Sequence, residues 1–316
     1  MNSPAAPIRP TGFLIGADGK VRPIWRALLY ALASAVAIFA VILVIGILVE
    51  AISPGTMRRE TGAALMMAHP GLFILIYAAS NVALSLLAWL FLATFDRCSF
   101  RALGLWLYPG WGREVLTGMG LGVGILLVGV AFSVALHAIG FSGAAEISSR
   151  TLLGLLKVAA LLLFAAANEE LLFRGYAFQR LAASVGALWA VLITSALFGA
   201  GHLLNPSATP LSTANTVLAG VLLSLAYLKT RALWLPIGLH WAWNFTMGPI
   251  LGLPVSGLNI SPTLFRSEAA GPTWLAGGVY GPEGGLILTL VCLAATLWLA
   301  RSRKIAPSPA MKEVLK

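Results

Sequence analysis

The chain has 316 residues, of which 59% are hydrophobic and only 10% are charged, and its formal net charge is +10. A composition this apolar excludes an ordinary water-soluble globular domain. The basic residues lie mostly in short segments between apolar runs, so we expect a lipid bilayer as partner and no nucleic acid. The two cysteines, Cys98 and Cys292, lie far apart in sequence, which predicts free thiols.

The apolar runs predict an all-α fold, namely a polytopic transmembrane helical bundle of about eight spans. About 20 apolar residues suffice to cross a bilayer as a helix, and several charge-free runs exceed that length. The polar segment before residue 20 lacks the pattern of a cleaved signal peptide, so we expect the first span to remain as an anchor. The predicted spans are 25–49, 71–95, 115–140, 151–181, 186–204, 213–228, 232–251 and 284–300.

The distribution of basic residues predicts the orientation of these spans. With eight spans, both termini share one side with the segments near residues 97–113, 174–186 and 229–231. That side carries 16 of the 21 lysines and arginines, whereas Arg58, Arg59, Arg150 and Arg266 lie on the other side. Since basic residues are enriched in cytoplasmic loops, both termini are expected in the cytoplasm, in a bacterial inner membrane.

Two adjacent glutamates, Glu169 and Glu170, interrupt the apolar run of the fourth span. A carboxylate in a bilayer costs several kcal/mol unless a partner compensates it. Arg174 follows Glu170 by four residues, in the favoured orientation for an ion pair within a helix. Neighbouring helical residues point about 100° apart. The sequence therefore predicts one structural acid, Glu170, and one acid free for chemistry, Glu169.

Two further polar positions occur at helical spacing. Phe198 and His202 lie four residues apart near the end of the fifth span, and His240 and Asn244 do so in the seventh. If the fourth and fifth spans meet in a turn near residue 184, Glu169 and His202 lie roughly 22 to 27 Å from that turn, at matching depth. We therefore expect the glutamate, the two histidines and the asparagine to meet inside the bundle.

These three motifs resemble those of the CAAX prenyl protease and bacteriocin-processing family, also called the Abi or type II CAAX endopeptidase family. The resemblance covers about residues 152–252. The motifs are Glu169-Glu170-x-x-x-Arg174, Phe198-x-x-x-His202 and His240-x-x-x-Asn244. Together they imply an eight-helix intramembrane protease in which the first glutamate and the second-motif histidine activate water, while the third motif stabilises an oxyanion.

The residue chemistry is compatible with that implication, because peptide hydrolysis needs a base for water and donors for the developing oxyanion. Glu169 with His202 would supply the first, and His240 with Asn244 the second, with Glu170, Arg174 and Phe198 as structural support. We expect no required cofactor. The alternative is Zn²⁺ held by Glu169, His202 and His240, a ligand set known from catalytic zinc sites.

The zinc alternative is less favoured because a zinc-ligating histidine usually donates the N–H of its other ring nitrogen to an acceptor, and the spans offer few acceptors. In the spans, the only other acid is Glu170, which the sequence assigns to Arg174. No H-E-x-x-H zinc motif occurs in the sequence, and Asp18 and Asp96 lie outside the apolar runs, which excludes an aspartyl dyad. The G-x-S-G sequence at 140–143 looks like that of rhomboid serine proteases, but it lies in a polar outer loop, where a turn is expected.

The sequence therefore predicts an intramembrane endopeptidase that cleaves a membrane-associated or C-terminal peptide substrate. The expected organisation is a cytoplasmic tail over 1–24, N-terminal transmembrane helices over 25–145, a catalytic four-helix core over 150–252, and a last helix with a basic cytoplasmic tail over 284–316. A proton- or cation-coupled transporter built on the same residues, or a non-catalytic membrane scaffold, are the alternatives. The substrate and the oligomeric state are not encoded in these patterns.

Overall fold

The structure is a computed structural model that describes residues 12–16, 19–56 and 62–314. It is an all-α membrane bundle, which confirms the predicted fold class. The helices are α1 (Pro23–Ile52), α2 (Gly62–Ala68), α3 (Pro70–Phe91), α4 (Trp111–Ala135), α5 (Ser149–Arg174), α6 (Tyr176–Val185), α7 (Ala187–Gly201), α8 (Pro210–Thr230), α9 (Trp234–Phe245), α10 (Thr273–Ala276), α11 (Leu286–Arg301) and α12 (Pro309–Val314). Short π-helices, Leu92–Asp96 and Thr246–Ile250, extend α3 and α9.

Five helical segments in the described ranges are long and apolar enough to cross a membrane. They are Pro23–Ile52, Pro70–Asp96, Trp111–Ala135, Ser149–Val185 and Pro210–Thr230. Two shorter apolar helices, α7 and α11, lie where further spans were expected. The protein is therefore an integral membrane protein, and the number of eight spans stays a prediction. Asp18 lies outside the described residues, and so do four basic residues of the topology count, Arg9, Arg58, Arg59 and Lys316.

The fourth predicted span, 151–181, lies within the candidate span Ser149–Val185, which a break divides into two helices. Helix α5 ends at Arg174, and α6 begins at Tyr176 after a break at Gly175. A Cβ at Gly175 would collide with the carbonyl oxygen of Leu171, so a glycine permits this break. The core from residue 150 consequently contains one more helix than the four that were predicted.

A buried ion cluster fastens α1 and α6 to the end of α3. Asp96 Oδ1 accepts hydrogen bonds from Arg26 at 2.6 Å and from Arg180 at 2.8 Å, while its Oδ2 accepts from the Tyr176 hydroxyl at 2.7 Å. The Asp96 side chain is only 4% exposed. Multiple charged hydrogen bonds compensate the cost of burying that carboxylate. The cluster holds α1 and the end of α3 against α6, the helix that follows the glutamate-bearing α5.

A two-stranded antiparallel sheet, which the sequence did not predict, joins β1 (Ile139–Ala144) to β2 (Phe265–Ala269). The predicted turn at residues 140–143 was wrong, because those residues belong to β1. Ser142 is exposed there and does not line the cavity described below. The sheet anchors the long segment between α9 and α11, whose residues 255–260 fold over the bundle and contribute to its core.

Candidate active site

Helix α9, which carries His240 and Asn244, is held very close to α4. Gly118 and Gly122 of α4 face the carbonyl oxygens of Leu235 and Leu239, and a Cβ at either glycine would collide with them. Small residues of this kind allow helix backbones in a membrane to approach closely. A small-xxx-small pattern on α4 thus determines where the third motif lies.

Glu170 is fully buried and joins α5 to α9. Its Oε1 accepts a hydrogen bond from Arg174 Nη1 at 3.2 Å and another from His240 Nδ1 at 2.9 Å. The ion pair with Arg174 was expected from the sequence, but the assignment of Glu170 to Arg174 alone was wrong. The same carboxylate also orients an imidazole, so His240 has the acceptor that the sequence analysis considered missing.

Arg174 is also fully buried, and it joins the first motif to α8 and to Phe198 of the second motif on α7. Its Nη2 donates to the Gly220 carbonyl at 2.9 Å and its Nε to Ser224 Oγ at 3.3 Å, both on α8. The guanidinium carbon lies 4.7 Å from the centroid of the Phe198 ring, a cation–π distance. Arg174 and Phe198 therefore pack against each other inside the bundle.

His202 caps the C-terminal end of α7 and has a fixed tautomer. Its Nδ1 lies 2.8 Å from the carbonyl oxygen of Phe198. A carbonyl oxygen only accepts, so Nδ1 carries the proton and Nε2 of the neutral ring keeps its lone pair. The Phe198 ring packs against the imidazole at 4.7 Å between centroids. This histidine therefore presents an acceptor nitrogen.

Glu169 is oriented differently from its neighbour, as the helical geometry predicts. Its side chain is 32% exposed, against 0% for Glu170. Glu169 Oε2 lies 3.8 Å from His240 Nε2, which is beyond hydrogen-bond distance, and it has no hydrogen-bond partner among the described residues. Glu169 therefore lies beside the His240 imidazole, and its carboxylate can still accept a hydrogen bond from another molecule.

One cavity of about 290 Å³ brings these groups together. Glu169, His202, His240 and Asn244 all line it, and they come from α5, α7 and α9. Most of the remaining wall is apolar. A concave apolar pocket with a few convergent polar groups is typical of a substrate-binding site.

Several other residues of the same cavity were not predicted from the sequence. Tyr77 from α3, Ser256 from the segment after α9, Glu283 just before α11, and Cys292 within α11 all line it. Glu283 follows a proline and precedes two glycines, a pattern typical of a loop, so nothing local indicated that it lies in the interior. Both cysteines are free, as predicted.

The alternative zinc ligands, Glu169, His202 and His240, lie on one cavity wall. Glu169, His202 and His240 have the right chemical types, and each imidazole donates Nδ1–H to an acceptor, as zinc-ligating histidines do. However, no group of three or more histidine, cysteine, aspartate or glutamate side chains in the described ranges is placed to hold a metal ion.

Comparison with known proteins agrees with the motif resemblance. Residues 150–246 match the family model described as type II CAAX prenyl endopeptidase Rce1-like. This match supports membership of the Rce1-like family. The segment contains both glutamates, both histidines and the asparagine of the cavity, and that family implies a membrane protease with a peptide or protein substrate. No curated protein and no solved structure matched the chain.

Proposed function

We propose that the chain is an intramembrane endopeptidase in which Glu169 and His202 activate a water molecule and His240 and Asn244 stabilise the oxyanion. The observation that carries this proposal is the meeting of these four residues on one cavity inside the Rce1-like segment. A base, an orienting acceptor and oxyanion donors are what amide hydrolysis by water requires.

The proposed mechanism is a sequence of proton transfers among these groups. Glu169 takes a proton from water, whose oxygen attacks the carbonyl carbon of the scissile peptide bond. His202 Nε2 accepts the other hydrogen of that water and so orients it. When the carbon–nitrogen bond breaks, protonated Glu169 gives its proton to the leaving amine. One water is consumed, and a carboxyl group and an amine are released.

The role of His240 depends on its charge. Since Nδ1 donates to Glu170, Nε2 carries a hydrogen only when the ring is doubly protonated. Burial disfavours that cation, whereas the carboxylates of Glu170 at 2.9 Å and Glu169 at 3.8 Å favour it. In that state Nε2–H, together with the Asn244 amide one turn along α9, can donate to the oxyanion.

This mechanism requires no metal, because each step uses a group already on the cavity wall.

We further propose that the membrane is a bacterial inner membrane and that both termini face the cytoplasm. The asymmetric distribution of basic residues supports this orientation.

The experiment compares membrane peptides, by mass spectrometry, from cells that carry the wild type, Glu169→Gln or a control. Glu268→Gln and Ser142→Ala are matched controls, because both side chains are exposed on the β1–β2 sheet. We expect products that the wild type and both controls generate and that Glu169→Gln does not. Loss of those products in Ser142→Ala with retention in Glu169→Gln would replace the proposal with a serine mechanism. Ion flux without any cleaved product would replace it with a transporter.

A further inference from the structure

The cavity contains a second carboxylate, that of Glu283, which the proposed mechanism does not use. Glu283 lies in a 3-10 turn, Pro282–Gly284, immediately before α11, and lines the cavity together with Glu169. None of the described residues that line this cavity is a lysine or an arginine. The wall thus has two acids and no permanent cation.

Glu283 is held firmly, but its charge is not neutralised. Its Oε1 accepts from Trp243 Nε1 at 2.9 Å, and its Oε2 accepts from the backbone nitrogen and the hydroxyl of Ser256 at 2.8 and 2.7 Å. All three donors are neutral. A carboxylate has about four acceptor positions, so Oε1 can accept from a further donor. No described lysine, arginine or histidine forms an ion pair with it.

Glu283 is connected through Trp243 to α9, the helix that carries His240 and Asn244. Trp243, its hydrogen-bond donor, follows His240 by three residues and precedes Asn244 directly. Residues one helical turn apart have Cβ atoms roughly 5 to 6 Å from each other. An extended peptide advances about 3.3 Å per residue. A substrate group that contacts Glu283 would therefore come from within a few residues of the scissile bond.

We propose that Glu283 is a specificity-determining residue that binds a cationic group of the substrate, an ammonium or a guanidinium. This inference rests on the proposed function of the cavity. A bound cation would complete the free acceptor position of Oε1 and neutralise a negative charge that the apolar wall cannot compensate. The cation belongs either to a lysine or arginine side chain or to the amino terminus of the substrate.

The alternative role for Glu283 is structural. By binding Trp243 and Ser256 it also ties the segment after α9 to the bundle, and this role alone would make its loss equally harmful for every substrate. The two roles differ in one measurable quantity, the ratio of cleavage rates between a cationic peptide and a neutral peptide of the same shape.

The test uses the purified full chain in detergent and N-acetylated fluorogenic peptides. Lysine, norleucine or glutamate occupies each of the three positions on either side of the scissile bond in turn. At one or more positions, we expect the wild type to cleave the lysine peptide at least about tenfold faster in kcat/KM than the norleucine peptide, and the glutamate peptide slowest. In Glu283→Gln the lysine-to-norleucine ratio should fall to about one, whereas Glu268→Gln should keep it. A ratio near one in the wild type, or an unchanged ratio in Glu283→Gln, would overturn the proposal.

A binding arm separates this inference from the proposed function. Fluorescence anisotropy would compare lysine and norleucine peptides on Glu169→Gln and on the double variant Glu169→Gln/Glu283→Gln. If Glu169→Gln prefers the lysine peptide and the double variant does not, the role of Glu283 is supported. This holds even if the wild type cleaves nothing, a result in which the proposed function alone fails. Peptides with a free instead of an acetylated amino terminus identify the source of the cation, and equal binding of all peptides would contradict the proposal.

Discussion

Replacing Glu170 by glutamine should destabilise the protein far more than the same change at Glu169. Arg174 is 0% exposed, and Glu170 is the only carboxylate that pairs with it among the described residues. After the change, Arg174 keeps its bonds to Gly220 and Ser224 but remains a buried charge. Breaking a buried ion pair on one side costs about 3–5 kcal/mol.

Glu169 provides the matched control, since it is the adjacent acid on the same helix. Its side chain is one-third exposed and has no hydrogen-bond partner in the described part of the chain. We therefore expect Glu169→Gln to change the free energy of unfolding by about 0.5 kcal/mol or less while it abolishes cleavage. The assay is unfolding by SDS titration of the purified variants in mixed micelles, with cleavage measured on the same preparations.

A second variant separates stability from catalysis. Glu170→Gln combined with Arg174→Met removes both buried charges and should recover much of the lost stability. Cleavage should stay low, because His240 Nδ1 still lacks its carboxylate acceptor. The reasoning would be refuted if Glu170→Gln were no more destabilising than Glu169→Gln, or if the double variant regained wild-type cleavage.

Three further predictions concern packing, topology and metal. Gly122→Ala should push α9 away from α4, destabilise the protein by about 1–3 kcal/mol and lower cleavage. Gly124→Ala, which faces open space, should have none of these effects, and equal effects of the two changes would contradict the packing argument. In a Cys98→Ser background, an impermeant thiol reagent outside intact cells should label Leu204→Cys and not Ser184→Cys, and the reverse pattern would invert the topology. Cleavage should survive exhaustive chelation, and a stoichiometric zinc whose removal stops activity and whose return restores it would disprove the metal-free mechanism.

Much of the candidate site follows from local patterns in the sequence. The spacing of Glu170 and Arg174 encodes their ion pair, and the 100° rotation between neighbours accounts for the buried and the accessible glutamate. The spacing of His240 and Asn244 likewise places them on one face of a helix. These relations depend on a single helix each, so the sequence alone suffices to predict them.

No local pattern in the sequence predicts the contacts between distant segments. The hydrogen bond between Glu170 and His240 depends on the rotation of two helices that are 70 residues apart in sequence. Strands β1 and β2 pair across more than 120 residues, and Glu283 lines the cavity although it lies more than 100 residues after Glu169 in sequence. The break at Gly175 was equally hidden, since a glycine inside an apolar run is compatible with a continuous transmembrane helix.

The central claim is that water activated by Glu169 hydrolyses a peptide bond, and the most direct test follows oxygen from solvent into product. Purified protein in lipid vesicles would be incubated, in water enriched in ¹⁸O, with an intact peptide that the wild type cleaves. The products would be analysed by mass spectrometry. The account predicts one ¹⁸O atom in the new carboxyl group after a single turnover with the wild type, and no product with Glu169→Gln. Wild-type rates of product formation in Glu169→Gln would contradict it.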